Sequence, residues 1–412
     1  MNVKWYNGST LLADETYNVD SSTYFCDTQV QAYNKIVITI GNMQKPNRFL
    51  KIFNISDGVT RQFYNDELEN VEIIEQITNN NKALNINEAT LKLLPANTTG
   101  VLFQRTLPFS IYRNDVLMGR FFISTSTSNT NKTLYNIKVS DYINTLESQT
   151  YLGGTYANIG ASTLVGQILG DIPYSVDATL TNKVINGYLP ILSKREALRQ
   201  VAFCLNAYVD TSRSDMVNIL PLPTTTSATK TASDIVSIET TQKNIVTKYE
   251  LNTKIIATSS TATTEEIFNE ALNGTKMIVY DSPKYSLQIS NGTVVSSNCN
   301  YALISGTGGN VVLQGKSYAE YTTTTEKTNP NTISTDIDNV ESYTTTIICS
   351  TIDILDSLSF VEYSIKSKFK MGSVKIGDLI TLNGQTCRVL SLSYDLKQSE
   401  MYCDAELEAY YE

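Results

Sequence analysis

Short alternating or β-branched runs, each closed by Asn, Asp or Gly, recur along the whole chain and restrict it to a fold built of strands. KIVITIGN (35–42), RFLKIFNISDG (48–58), VEIIEQI (71–77) and ALNINEATLKLL (83–94) read as strands of an antiparallel meander. LPFSIYRNDVLMGRFFIST (107–125) folds back at Asn114-Asp115, and LYNIKVSDYI (134–143) closes the region. Residues 1–150 are therefore expected as one strand-rich, barrel-like domain. Thr, Ser, Asn and Tyr dominate the polar residues, and 412 residues suffice for two to four domains with cores of their own.

The pattern changes at Tyr151. Ala161–Leu169 has helical apolar spacing, a candidate N-cap in Ser162 and a stop at Gly170. Ser193 and Glu196 form a capping box ahead of the stripe Leu198, Val201, Ala202 and Leu205, and DTSRSDMVNILPL then reads as a turn and a strand. Residues 151–223 thus form a small α/β segment. Composition marks Thr224–Ser233, Ala257–Thr264 and Thr322–Thr335 as linkers, and 224–234 as the connection to a C-terminal β domain, 235–412. Within that domain an insert at about 257–335 is expected to hold a short helix, Glu265–Leu272, and strands around MIVYD, YSLQIS and ALISGTGGNVVLQ. Asn291-Gly292 and Asn383-Gly384 are hairpin signals, and MYCDAELEAYY alternates faces to the end. The fold class is mainly β: two barrel-like domains flanking a helix-helix-strand segment.

Histidine is absent, which removes the usual acid-base side chain at neutral pH, histidine-paired nucleophiles and histidine-bearing metal sites. An enzyme is not expected, and no catalytic, cofactor-binding or metal residue is assigned. A net charge of −9 weighs against sequence-specific nucleic-acid binding. Cys26, Cys204, Cys299, Cys349, Cys387 and Cys403 lack the spacing of zinc or redox motifs and read as reduced, buried thiols of a chain made in the cytoplasm. No apolar run reaches the length of a membrane span, and a soluble chain is expected.

Three motifs fail as sites. Gly315-Lys316-Ser317 ends like a phosphate-binding loop, but Asn310 stands where the loop needs glycine, and a hairpin turn is expected there instead. Gly306–Gly309 is assigned to a turn. Asp404, Glu406 and Glu408 share one face of the last strand and read as a solvated row that blunts a sheet edge. The Asn-x-Ser/Thr sequons at Asn7, Asn54, Asn97, Asn131, Asn273 and Asn291 follow from composition, and the 25 tyrosines suit broad β surfaces and interfaces.

The order of parts is more informative. A strand-rich start ending in SDYINTLE leads to LGGTYANIGASTLVGQIL, the capped helix SKREALRQVAFCLNAYV with a strand ending ILPL, and a closing IGDLITLNGQTCRVLSLSYDLKQSEMYCDAELE. This arrangement resembles the tail hub proteins of tailed bacteriophages and phage-like contractile particles. The resemblance implies a homotrimeric ring in the virion tail or baseplate. Its barrels would face the tail tube protein on one side and a spike or tail fibre protein on the other, beside other baseplate proteins. Its channel would pass DNA or the tape measure protein. A receptor- or carbohydrate-binding tail protein is the alternative.

Overall fold

The computed structural model describes residues 1–19, 28, 30, 32–41, 62–96, 103, 107–131, 133–333 and 337–411. They form two compact units, Met1–Phe63 and Tyr64–Glu412. In the first, Asn2–Asn7 lies between Thr10–Thr16 and Lys35–Thr39 in an antiparallel sheet that buries Val3 and Trp5. The strand expected at 48–58, and Cys26, lie outside the described residues.

The second unit carries most of the structure. Strands account for 57% of the described residues of the chain and helices for 11%, so it is mainly β as expected. Its largest sheet has eleven strands drawn from both ends of the sequence. From one edge the order is Ile235–Gln242, Val361–Lys370, Tyr402–Tyr410, Gln385–Asp395, Leu68–Gln76, Glu88–Leu93, Tyr135–Ser140, Val116–Ser128 and Pro108–Arg113. The early and late parts of this unit meet where Ser391 to Asp395 pair antiparallel with Gln76 to Glu72. Alternation then sends Ile73, Leu91, Leu93, Ile137, Val389 and Leu407 into the interior, each burial worth about 1.5–3 kcal/mol. The opposite face pairs Lys366 with Glu406 and Lys368 with Asp404 across neighbouring strands.

Both sequence-expected hairpins of this sheet form. Asn114-Asp115 (φ 50° and 63°) and Asn383-Gly384 (φ 49° and 88°) are two-residue loops whose left-handed backbone matches the strand twist. Thr226–Lys230, inside a stretch expected as a linker, pairs in parallel with Leu379–Leu382. Most of Thr322–Thr335 is likewise corrected, because Ala319–Thr328 forms a full ladder with Lys248–Ala257. Threonine is polar like a linker residue but β-branched like a strand residue, and composition alone does not separate the two.

The α/β segment folds around the helices Ala161–Leu169 and Lys194–Cys204, which bury Leu164, Val165, Ile168, Leu198 and Val201 against Leu189 and Val217. Gly160, not Ser162, occupies the first helix's N-cap, and the Ala161 N–H goes to the Lys183 carbonyl. At the second helix Ser193 Oγ accepts the Glu196 N–H at 3.1 Å, but only half of the capping box forms. The Glu196 carboxylate turns instead to Arg199, which donates to both of its oxygens at 2.7 Å.

The insert is a sheet with its own core. Tyr301–Ser317 runs down its centre, paired on one side with Thr264–Val279 and on the other with Lys284–Ser290 and then Thr293–Ser297. The sheet bends midway and closes Phe268, Ile278, Ile304, Val311 and Leu313 into one cluster. At the bend a side chain on Gly306 would stand 2.5 Å from the Leu272 carbonyl, so glycine is required there. The helix expected at Glu265–Leu272 is therefore a strand. Bulges beside Phe268 and after Ala271 break its alternation, which hid the strand period. Asn291-Gly292 does not reverse the chain into the expected hairpin, since both flanking strands run in the same direction, antiparallel to the same central one. Gly306–Gly309 is a bulge and Gly315–Ser317 the end of a ladder, and neither is the turn expected.

Asn300 clamps the insert to the α/β segment. It is 6% exposed, and Nδ2 donates to the Leu152 and Leu189 carbonyls, both at 2.8 Å, while Asn298 Nδ2 reaches the Gly153 carbonyl at 2.8 Å. Asn300→Ala is expected to lose about 1–3 kcal/mol. Limited proteolysis should then cut faster around 298–301; an unchanged digestion pattern would show that the clamp does not hold the insert.

Candidate functional site

The parts of the large unit converge on four consecutive residues, Asp210-Thr211-Ser212-Arg213, the turn that follows the strand Ala207–Asp210. Thr211 Oγ1 donates to Asp141 Oδ2 and accepts from Asn87 Nδ2 at 2.9 Å. Asp141 also takes the Asn87 N–H at 3.0 Å and caps the helix Tyr142–Glu147 by accepting the Ile143 N–H at 3.0 Å. Ser212 bridges Gly119 on the Val116–Ser128 strand, and its N–H goes to Asp210 Oδ1 at 2.7 Å. Arg213 donates from Nε and Nη2 to the two oxygens of Glu75, both at 3.0 Å, and from Nη2 to the Val374 carbonyl. Tyr394 adds its hydroxyl to Glu75 Oε1 at 2.7 Å.

This joint ties the α/β segment to strands from both ends of the chain. Glu75 and Asp141 are each 1% exposed, and burial pushes Asp141 and Asp210 up to about 6. Arg213 adopts φ 51°, a left-handed conformation disfavoured for an arginine and held here by its two carboxylate bonds. A second tie comes from the helix Lys194–Cys204. Arg195 donates to the Leu84 carbonyl and Arg199 Nη1 to the Asn81 carbonyl at 3.0 Å, while Asn81 Nδ2 returns to Ala207. The sequence marks 210–213 only as a turn; its run of three side-chain hydrogen bonders before an arginine is the signal that more is built there.

The motifs singled out from the sequence do not meet here. Asp404 and Glu406 face lysines on an interior strand, so they do not blunt an edge as expected. Glu408, in the same row, is part-buried and burial raises its carboxyl. A cleft of about 450 Å³ opens between Lys82, Glu196, Arg199, Phe203, Glu341 and Tyr343. Its charges satisfy one another, Lys82 with Glu341 at 2.7 Å and Arg199 with Glu196. Among the described residues no three His, Cys, Asp or Glu side chains are placed to share a metal ion. Cys204, Cys299, Cys349, Cys387 and Cys403 are free and buried, and burial pushes the Cys299 and Cys387 thiols up to about 11.

Three strands of the large sheet have one neighbour each among the described residues: Ile235–Gln242 and Pro108–Arg113 at the ends of the main order, and Thr226–Lys230 on the branch beside Leu379–Leu382. The first exposes Val236 at 62% and Ile238 at 44%; beside the second, Tyr112 and Val116 are 62% and 60% exposed. Such edges offer unpaired backbone donors and acceptors with apolar side chains next to them, the elements of strand-to-strand association.

In overall arrangement the chain is similar to three solved tail proteins. They are the 43 kDa tail protein of prophage MuSo2 from Shewanella oneidensis (TM-score 0.48, 6% identity, 82% of this chain and 93% of that one), a tail protein from Neisseria meningitidis (0.49, 7%, 83% and 92%) and the prophage tail protein gp18 from Listeria monocytogenes (0.49, 8%, 83% and 89%). At these values the likeness carries no argument about function. No family model and no curated protein matches the chain. No helix among the described residues is long and apolar enough to cross a membrane.

Proposed function

We propose that the chain is a structural hub of a phage or phage-like tail, a homotrimeric ring that joins the tail tube to a central spike or baseplate and leaves a channel for DNA or tape measure protein. The observation that carries this reading is the single sheet made from the early and late parts of the large unit, with edge strands that are unpaired on one side among the described residues. A ring component must present two different association surfaces held at a fixed distance, and cyclic symmetry then repeats one contact around the axis. The buried joint at 210–213 supports the reading, since it ties the α/β segment to both parts of the sheet through buried hydrogen bonds and an ion pair. The order of parts in the sequence supplies the direction, toward tail hubs. The division into 1–150, 151–223, the 224–234 connection and 235–412 belongs to the same reading, as does a location in the virion tail.

Co-expression with the neighbouring tail tube and spike proteins tests the hub. A complex that survives size-exclusion chromatography and contains three copies of this chain is the expected result. A chain that stays apart from both proteins while binding purified cell-surface glycan would instead establish the receptor-binding reading.

A further inference from the structure

The joint at 210–213 holds more negative charge than it neutralises. Glu75, Asp141 and Asp210 are 1%, 1% and 7% exposed, and Arg213 is engaged with Glu75 alone among them. Asp141 is met by the N–H groups of Asn87, Ile143 and Asn144 and by the Thr211 hydroxyl, all of them neutral. Asp210 has the Ser212 N–H, with Glu75 as a like charge and the exposed Lys375 as its cationic neighbour. A proton on either Asp141 or Asp210 would remove a buried charge that no ion pair offsets.

We propose that the 210–213 joint is a proton-controlled clamp, in which proton uptake by Asp141 and Asp210 in mild acid strengthens the hold of the α/β segment on the main sheet. The direction follows from linkage. Both carboxyls sit at about 6 in the folded chain against an ordinary 3.8, so the folded state binds protons that the opened state releases. The clamp is weakest above pH 6, tightens as the pH falls through 6, and gains nothing more below the ordinary value. Carboxylates that are held low by partners, among them Asp14, Asp234 and Glu265, act in the opposite direction, and a global melting curve mixes the two. A local readout is therefore needed.

Hydrogen exchange of peptides spanning 141–146 and 207–215, corrected for the intrinsic pH dependence of exchange, supplies it. Protection should rise on going from pH 7 to pH 5, roughly tenfold for each carboxyl. Asp141→Asn and Asp210→Asn should each flatten the dependence. An unchanged slope in the double variant, or a flat profile in the unaltered protein, would overturn the clamp. Should the variants fail to fold, carbon-13 titration of the two carboxyls in the unaltered protein decides: midpoints near 6 support the clamp and midpoints below 4 refute it.

Discussion

Exchanging Arg213 for methionine should destabilise the Tyr64–Glu412 unit by about 3–5 kcal/mol, the usual consequence of leaving one partner of a buried ion pair uncompensated. Glu75, 1% exposed, would keep the Tyr394 hydroxyl but lose both guanidinium bonds, and the Val374 carbonyl would lose its donor. The neutral pair Arg213→Met with Glu75→Gln should recover much of the loss, because no isolated charge remains and the amide oxygen can still accept from Tyr394. Urea unfolding at pH 7.5 separates these cases. Equal losses in the single and double variants would mean that the ion pair contributes geometry and not charge balance.

If the chain forms the proposed ring through its Ile235–Gln242 edge, placing lysine at both Val236 and Ile238 should abolish that self-association while leaving the fold intact. The two side chains are 62% and 44% exposed, so the change removes little buried surface from the single chain. In a strand-to-strand contact the same lysines would be buried beside a partner strand with no counter-charge to offset them. Circular dichroism should stay unchanged while the sedimentation coefficient falls to that of a single chain. An oligomer that persists would move the contact to another surface, such as the Pro108–Arg113 edge.

Much of this architecture was legible in the residues. The Asn383-Gly384 and Asn114-Asp115 turns and the Ser193 cap are set by local backbone chemistry, and each formed where its residues indicate. The misreadings also have local causes. Bulges beside Phe268 and after Ala271 erased the two-residue period of the Thr264–Val279 strand, and threonine-rich stretches looked like linkers although Thr226–Lys230 and Ala319–Thr328 pair fully. The joint stayed hidden for a different reason. Glu75 and Arg213 are 138 positions apart and Asp141 and Thr211 are 70 apart, and no periodicity in a single sequence reports a contact at that separation. Likewise, nothing in VEIIEQI or LSLSYDL says that these two strands will lie side by side.

The mass of the native particle tests the hub reading most directly. Native mass spectrometry of the purified chain, alone and with the co-expressed tube and spike proteins, should give three times the 45.7 kDa chain mass in at least one of these states. A single chain in every state would contradict the ring.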